Sequence, residues 1–192
     1  AIRRQRQMCI RDSNGHVTGN SPYLAFEWRA GKEGEFHQVH TRLIGEYNFP
    51  NALAAVTIGH FFGVEAEKID KALNEYEPRN NRSQLKKTAD NTLIIDAYNA
   101  NPTSMLAAIG NFRNMQAEKK MLILGDMREL GKDSAEEHQR IVDYLEEYGF
   151  EDVILVGELF AATRHTYTTY PDAPALIAAL QKNKPCGKTI LI

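Results

Sequence analysis

Residues 93–102 read LIIDAYNANP and pass from a short apolar run directly into the start of a helix. The apolar run has the composition of a strand that is buried on both faces. Asn101 has the side chain of a helix N-cap, and Pro102 suits the first helical position. The segment therefore predicts one strand–turn–helix unit whose turn carries more polar side chains than helix capping requires.

Units of the same kind follow toward the C-terminus. Apolar runs at 121–124, 153–156 and 189–192 are separated by helical patterns. One of these helices begins with the capping-box pair Ser134 and Glu137. Short apolar strands between amphipathic helices predict an α/β domain, with a Rossmann-like, doubly wound and mostly parallel sheet. Ligands of such sheets bind beyond the carboxyl ends of the strands, so the turns after these runs are the places to look for chemistry.

The preceding third of the chain has a different pattern. Leu24, Phe26 and Trp28 alternate with more polar residues, which predicts antiparallel strands with one buried face. Two helices are expected next, at 51–62 and 66–76. The sequence EPRNNR that follows breaks the helical pattern and predicts a domain boundary at about residue 83. Residues 1–12 are Arg-rich and without period, and we interpret them as a tail or foreign sequence.

Composition excludes several classes of function. The 192 residues are 43% hydrophobic and carry a formal net charge of -2 with acids and bases interspersed, so nothing favours nucleic-acid binding. No apolar run approaches the roughly 20 residues of a membrane-spanning helix, and no secretory signal is expected. Cys9 and Cys186 lie far apart in no metal or redox spacing, which favours a reducing cytoplasm.

Two polar turns are the strongest candidates for binding. In the first, Asp96 at a strand end could accept hydrogen bonds from a ribose hydroxyl, and Asn99 lies beside it. In the second, residues 125–131, two glycines bracket charged side chains, so that a carboxylate could hold an ammonium group and Arg128 a carboxylate. The alternatives are ordinary loop chemistry for the first turn and a solvated, salt-bridged loop for the second.

Other candidates are weaker by themselves. Asn48 and Asn51 could present amides to a nucleobase or could only start a helix. Arg82 could reach a phosphate or could be a solvated linker charge. His138 could reach the 125–131 loop, although a lone histidine on a helix is more often structural. The sequence has no phosphate-loop motif, no dinucleotide fingerprint and no nucleophile elbow, so its motifs form no complete catalytic apparatus.

Taken in order, these segments resemble the Mur ligase family of ATP-dependent enzymes, which form amide bonds in cell-wall synthesis. The resemblance rests on GEYNFPN at 45–51, Pro78-x-x-x-Arg82, DAYNANP at 96–102 and LGDMRELG at 124–131. The last two runs look like those of the branch that adds D-alanyl-D-alanine to UDP-N-acetylmuramoyl-tripeptide. The resemblance covers about residues 17–192.

The resemblance implies a division into domains and a set of roles. Residues 1–83 would end a central ATP-binding domain, and residues 84–192 would form most of a Rossmann-like C-terminal domain. The ATP-binding residues implied are Asn48, Asn51, Arg82, Asp96, Asn99 and Asn101. The residues implied for the dipeptide are Asp126, Met127, Arg128, Glu129 and His138. ATP and Mg²⁺ are the implied cofactors, a monomer is expected, and the metal ligands and catalytic groups are expected upstream of Ala1.

Other interpretations stay open from the sequence. Another Mur-type ligase or a folylpolyglutamate-type ligase would share the chemistry with a different acceptor. A non-catalytic module that binds a nucleotide or an amino acid, or a truncated scaffold, would explain the missing phosphate loop.

Overall fold

The computed structural model describes residues 13–79, 81–97 and 99–192. The interpretation of residues 1–12, the pairing state of Cys9 and the place of Tyr98 therefore lie outside the described residues, whereas Cys186 is exposed. The chain divides into two compact units between residues 79 and 80. Within the described residues, every helix is too short or too polar to traverse a lipid bilayer.

The first unit contains an antiparallel sheet in the order β1-β2-β3. Its strands are β1 (Ser13–Asn20), β2 (Tyr23–Ala30) and β3 (His37–Ile44). Leu24, Phe26 and Trp28 are each 0% exposed, because alternate residues of a strand point to the same face. The alternation that predicted these strands is thus confirmed.

Two helices cover the buried face of this sheet, α1 (Phe49–Phe61) and α2 (Ala66–Glu75). α1 begins two residues before the predicted start, since Pro50 lies in the first turn, where no backbone N–H is needed. Asp70 of α2 joins the helix to the strands. Its carboxylate accepts a hydrogen bond from Trp28 Nε1 at 2.7 Å and lies 2.9 Å from His37 Nδ1.

The second unit contains a six-stranded sheet in the order β4-β5-β9-β6-β7-β8, parallel except for the β4–β5 pair. Its strands are β4 (Gln84–Lys87), β5 (Thr92–Ile95), β6 (Lys120–Gly125), β7 (Val153–Val156), β8 (Thr168–Tyr170) and β9 (Thr189–Leu191). Its helices are α3 (Pro102–Asn114), α4 (Ser134–Glu147), α5 (Glu158–Ala161) and α6 (Ala173–Lys182).

The order of the strands determines on which face of the sheet each helix packs. Crossovers between parallel strands are right-handed in nearly all proteins. The chain moves one way across the sheet from β5 to β6 and β7, and it returns from β8 to β9. Right-handed connections therefore put α3 and α4 on one face and α6 on the other, where Leu176 packs with Met121, Ile154 and Ile190. This is the doubly wound, mostly parallel sheet that the alternation of strands and helices predicts.

One local prediction in this unit was wrong. Ser134 and Glu137 do not form a capping box, since α4 has Asp133 at its N-cap position and no side-chain capping bond there. Ser134 is already helical, and Glu137 pairs with Arg140 one turn further on. The start of the helix at Ser134 is nevertheless as expected. The cap predicted at Asn101 is present, because its Oδ1 accepts a hydrogen bond from the Ser104 N–H at 3.0 Å.

Candidate functional site

A cavity of about 530 Å³ lies at the carboxyl ends of the strands in the second unit. Such a position is where doubly wound sheets bind ligands, between connections that leave for opposite faces. Its apolar part is formed by Ile109, Ile123, Leu124, Val156, Leu176 and Leu191. Its polar part is formed by Asp96, Asn99, Ser104, Asp126, Arg128 and Glu129. The turn after β5 and the loop after β6 therefore border the same cavity.

Backbone hydrogen bonds on both sides of the turn fix Asp96. Its N–H donates to the Ile192 carbonyl at 2.7 Å, and its Oδ1 accepts from the Ser83 N–H at 3.2 Å. The neighbouring Ala97 N–H donates to the Asn81 carbonyl at 2.9 Å. Asn81 and Ser83 both have a positive φ, 57° and 48°, an uncommon conformation for residues other than glycine. The segment that contains Asn81 and Ser83 thus adopts an uncommon backbone conformation where it is hydrogen-bonded to the Asp96 turn.

The other polar residues of the 96–102 run are used in different ways. Asn99 is exposed and lines the cavity. Asn101 does not line the cavity, because its side chain caps α3, so the structure favours helix capping for this residue over ATP binding. Arg82 is exposed on the segment that precedes β4.

The carboxylate of Asp126 is occupied by the protein itself. Its Oδ2 accepts from the Leu159 N–H and its Oδ1 from the Phe160 N–H, both at 3.0 Å. These are first-turn amides of α5, so Asp126 fastens the loop after β6 to the turn after β7. Gly157 leaves room for this contact, because a Cβ there would collide with the Asp126 carboxylate. Sequence reasoning missed Gly157, although a glycine directly after an apolar strand is a signal that could have identified it.

His138 and Met127, which the resemblance implies for the dipeptide, are both buried and do not line the cavity. His138 is 0% exposed and is absent from the cavity lining, and Met127 is also 0% exposed. His138 Nε2 lies 3.0 Å from the Met127 N–H, and His138 Nδ1 lies 2.6 Å from the Ser134 carbonyl. The first contact needs a lone pair at Nε2 and the second needs a hydrogen at Nδ1, so the ring is neutral. The 3.8 Å approach of Asp126 Oδ1 to Nε2 is therefore not an ion pair.

Arg128 and Glu129 are the loop residues that remain available to a ligand. Both are exposed, and both line the cavity. Adjacent side chains of opposite charge suit a ligand that carries an ammonium group and a carboxylate. Lys132 follows them on an exposed turn and is not part of the lining.

In the first unit, the two candidate asparagines lie at the start of α1. Asn48 is the N-cap residue, and its Nδ2 donates to the Ile44 carbonyl at 2.8 Å, so part of its amide supports the turn. Asn51 is exposed on the first turn of the helix. A free amide can both donate to and accept from a nucleobase edge, which keeps Asn51 a candidate for binding adenine.

The residues present fit ATP better than they fit its metal ion. The Asp96 carboxylate at the cavity wall can accept a hydrogen bond from a ribose hydroxyl. Among residues 13–79, 81–97 and 99–192, no group of three or more His, Cys, Asp or Glu side chains could hold a metal ion. No described residue is therefore assigned to Mg²⁺, and the expectation of metal ligands upstream stays a prediction.

Comparison with known proteins matches this architecture to one family. The family model "Mur ligase, glutamate ligase domain" matches residues 81–192. The UDP-N-acetylmuramoyl-tripeptide--D-alanyl-D-alanine ligase of Bacillus subtilis is 34% identical over 160 residues, which are 78% of this chain and 35% of that protein. The corresponding ligase of Treponema pallidum is 38% identical over 103 residues, 54% of this chain and 22% of that protein. The chain thus spans about a third of the length of such relatives, or less.

A solved structure agrees with the sequence matches. MurF from Acinetobacter baumannii superposes with a TM-score of 0.73 at 29% identity, over 94% of this chain and 41% of that one. The family model covers more than half of the 192 residues, including both turns that border the cavity. The chain belongs to the Mur ligase family.

Proposed function

We propose that the whole protein is an ATP-dependent ligase that adds D-alanyl-D-alanine to UDP-N-acetylmuramoyl-tripeptide. The observation that carries the proposal is the meeting of the Asp96 turn and the 125–131 loop at one cavity of a Mur ligase domain. The relatives from Bacillus subtilis and Treponema pallidum, whose names state this reaction, support the choice of acceptor. A cytoplasmic location and a monomeric state belong to the same proposal.

The part of this chain in the reaction is to bind and orient. ATP transfers a phosphoryl group to the tripeptide carboxylate, which gives an acyl phosphate and ADP. The amine of the dipeptide then attacks the acyl carbon, and phosphate leaves as the amide bond forms. Holding two reactants in register can lower a barrier by about 7–11 kcal/mol. We assign that role to the cavity residues, since the sequence has no phosphate-loop motif of its own.

For ATP, we propose Asp96 as the acceptor for a ribose hydroxyl, with Asn99 beside it at the cavity wall. In the first unit we propose Asn51 as the adenine contact, and Asn48 as the residue that shapes its turn. Arg82, which is exposed, is proposed for a phosphate. Asn101 acts through the cap of α3, which sets the direction of the preceding turn.

For the dipeptide, the cavity offers a small apolar compartment and two charges. The side chains of Ile123, Val156 and Leu176 are apolar and suit the methyl groups of two alanines. Glu129 and Arg128 stand at the same cavity and suit the two charged ends of the dipeptide. A longer or strongly charged acceptor would place polar groups against this apolar wall without partners, which is costly.

A ligation assay with the full-length gene product tests the proposal. Each acceptor is incubated with ATP and a matching donor, and the nucleotide-linked product is identified by mass. UDP-N-acetylmuramate is offered with L-alanine, the shorter UDP-linked peptides with D-glutamate or a diamino acid, and UDP-N-acetylmuramoyl-tripeptide with D-alanyl-D-alanine. Folylpolyglutamate synthesis from a folate and glutamate is measured as a separate arm. We expect product with D-alanyl-D-alanine alone. Equal or faster ligation of a single amino acid, or of the folate, would assign the protein to another branch. Absence of turnover with every acceptor would favour a non-catalytic module.

A further inference from the structure

Two side chains, those of Asp126 and His138, hold the 125–131 loop through hydrogen bonds within the second unit. The Asp126 side chain is only 12% exposed, and both of its oxygens accept amide hydrogens of α5. A carboxylate that accepts two backbone N–H groups forms charge-assisted bonds, which are stronger than neutral ones. A ligand ammonium group would have to compete with these bonds. The geometry therefore gives Asp126 the work of joining two loops.

His138 fixes the backbone of the same loop at its next residue. The neutral ring accepts from the Met127 N–H through Nε2 and donates to the Ser134 carbonyl through Nδ1. The His138 and Phe160 rings form an edge-to-face pair, with their centroids 4.7 Å apart. Phe160 is also the residue whose amide binds Asp126. Asp126, His138 and Phe160 thus form a closed set of contacts around the Met127 backbone.

We propose that Asp126 and His138 are positioning residues of the dipeptide subsite, and that Arg128 and Glu129 are its contact residues. The inference rests on the proposed function and deepens it. Because the Met127 side chain and N–H are both fixed inside the protein, the chain can turn outward only at the next residue. The two exposed charges then stand at the cavity in a set orientation. Glu129 takes the ammonium group of the dipeptide, and Arg128 takes its carboxylate.

Two substitutions of His138 separate positioning from simple stability. In full-length His138→Gln, the amide oxygen can reach the place of Nε2 and accept from Met127. In His138→Asn, the shorter amide can serve Ser134 but leaves the buried Met127 N–H without an acceptor. We expect His138→Asn to raise the KM for D-alanyl-D-alanine about tenfold, with the KM for ATP within about twofold, and His138→Gln to recover most of the loss. Glu136→Ala, an exposed change on the same helix, is the matched control.

Asp126→Asn gives a second route should both His138 variants fold poorly. The amide keeps one acceptor for α5 and loses the other, so the same selective rise in the dipeptide KM is expected. Hydrogen–deuterium exchange of the Met127 amide provides a readout that does not need activity. It should be faster in His138→Asn than in His138→Gln or the control.

Equal effects of the two His138 variants on both the dipeptide KM and the exchange rate would overturn the positioning role. Unchanged kinetics in Asp126→Asn, with Arg128→Ala also unchanged, would overturn the assignment of the subsite. A wild-type protein that does not ligate D-alanyl-D-alanine would instead refute the proposed function. The exchange measurement would still decide whether His138 fixes the loop.

Discussion

Gly157 is the residue on which the contact between Asp126 and α5 depends most directly. Its φ of 124° lies in a region that side chains rarely adopt, and a Cβ at this position would meet the Asp126 carboxylate. Any substitution of Gly157 therefore loses stability in two ways, through backbone strain and through a steric collision. A glycine that follows an apolar strand is visible in the sequence, but its partner lies 31 positions earlier (Asp126 to Gly157), where no local pattern connects them.

We expect Gly157→Ala to lower the free energy of unfolding of this chain by about 3 kcal/mol, from backbone strain plus the collision. Gly149→Ala is the matched control. It also has a positive φ, of 69°, but nothing lies within 4 Å of its added Cβ, so about 1 kcal/mol should be lost. Urea denaturation followed by circular dichroism measures both. Equal losses in the two variants would show that Asp126 does not fill the space beside Gly157.

At the scale of elements, the apolar strands and the start of α3 at Asn101 were predicted well, whereas the capping box expected at Ser134 was not. β5, β6, β7 and β9 correspond to uniformly apolar runs, because strands covered on both faces need apolar side chains throughout. β4 and β8 were missed. Both are edge strands of the sheet with polar sequences, QLKK and TTY, which an edge tolerates and a pattern search does not detect.

The start of α3 shows how one residue could be assigned two roles from the sequence. Asn101 lies within a run that the resemblance links to ATP, and it is also in the N-cap position. The structure shows the cap bond to Ser104. The role of His138 could not be predicted from the sequence either, because its hydrogen bond to Met127 joins residues 11 positions apart and forms only in the folded protein. Residue type marks a segment as a candidate, but whether a side chain can contact a ligand depends on its orientation in the fold.

We expect Asn101→Ala to cost about 1 kcal/mol of stability, because the Ser104 N–H loses its partner at the helix end. Asn101→Asp should be close to wild type, since a carboxylate oxygen can accept the same bond and suits the positive end of the helix. Asp172→Ala, which removes the equivalent cap of α6, provides the comparison. Chemical denaturation of the three variants tests this. A stable Asn101→Ala chain would mean that the side chain serves a ligand instead.

At the scale of the whole molecule, the chain spans about a third, or less, of the length of the ligases that it resembles in sequence. The second unit is the Mur ligase C-terminal domain by its sheet and by its family match. We propose that the first unit is the end of the central ATP-binding domain. The chain divides into these two units between residues 79 and 80.

We expect the purified 192-residue chain to neither hydrolyse ATP nor ligate D-alanyl-D-alanine, because its sequence contains no phosphate-loop lysine motif. Phosphate release and ligation product are measured beside the full-length protein at equal concentration. Turnover that purifies with the chain, and that is lost on changing Asp96, would refute the claim that essential groups lie elsewhere.

The central claim is that the Asp96 turn and the 125–131 loop serve two different reactants at one cavity. Steady-state kinetics of full-length Asp96→Ala and Arg128→Ala test it most directly, with ATP and D-alanyl-D-alanine varied in turn. We predict that Asp96→Ala raises the KM for ATP roughly tenfold or more and leaves that for the dipeptide nearly unchanged, with the reverse in Arg128→Ala. An unchanged KM for ATP in Asp96→Ala, or a rise in the same KM in both variants, would contradict the account.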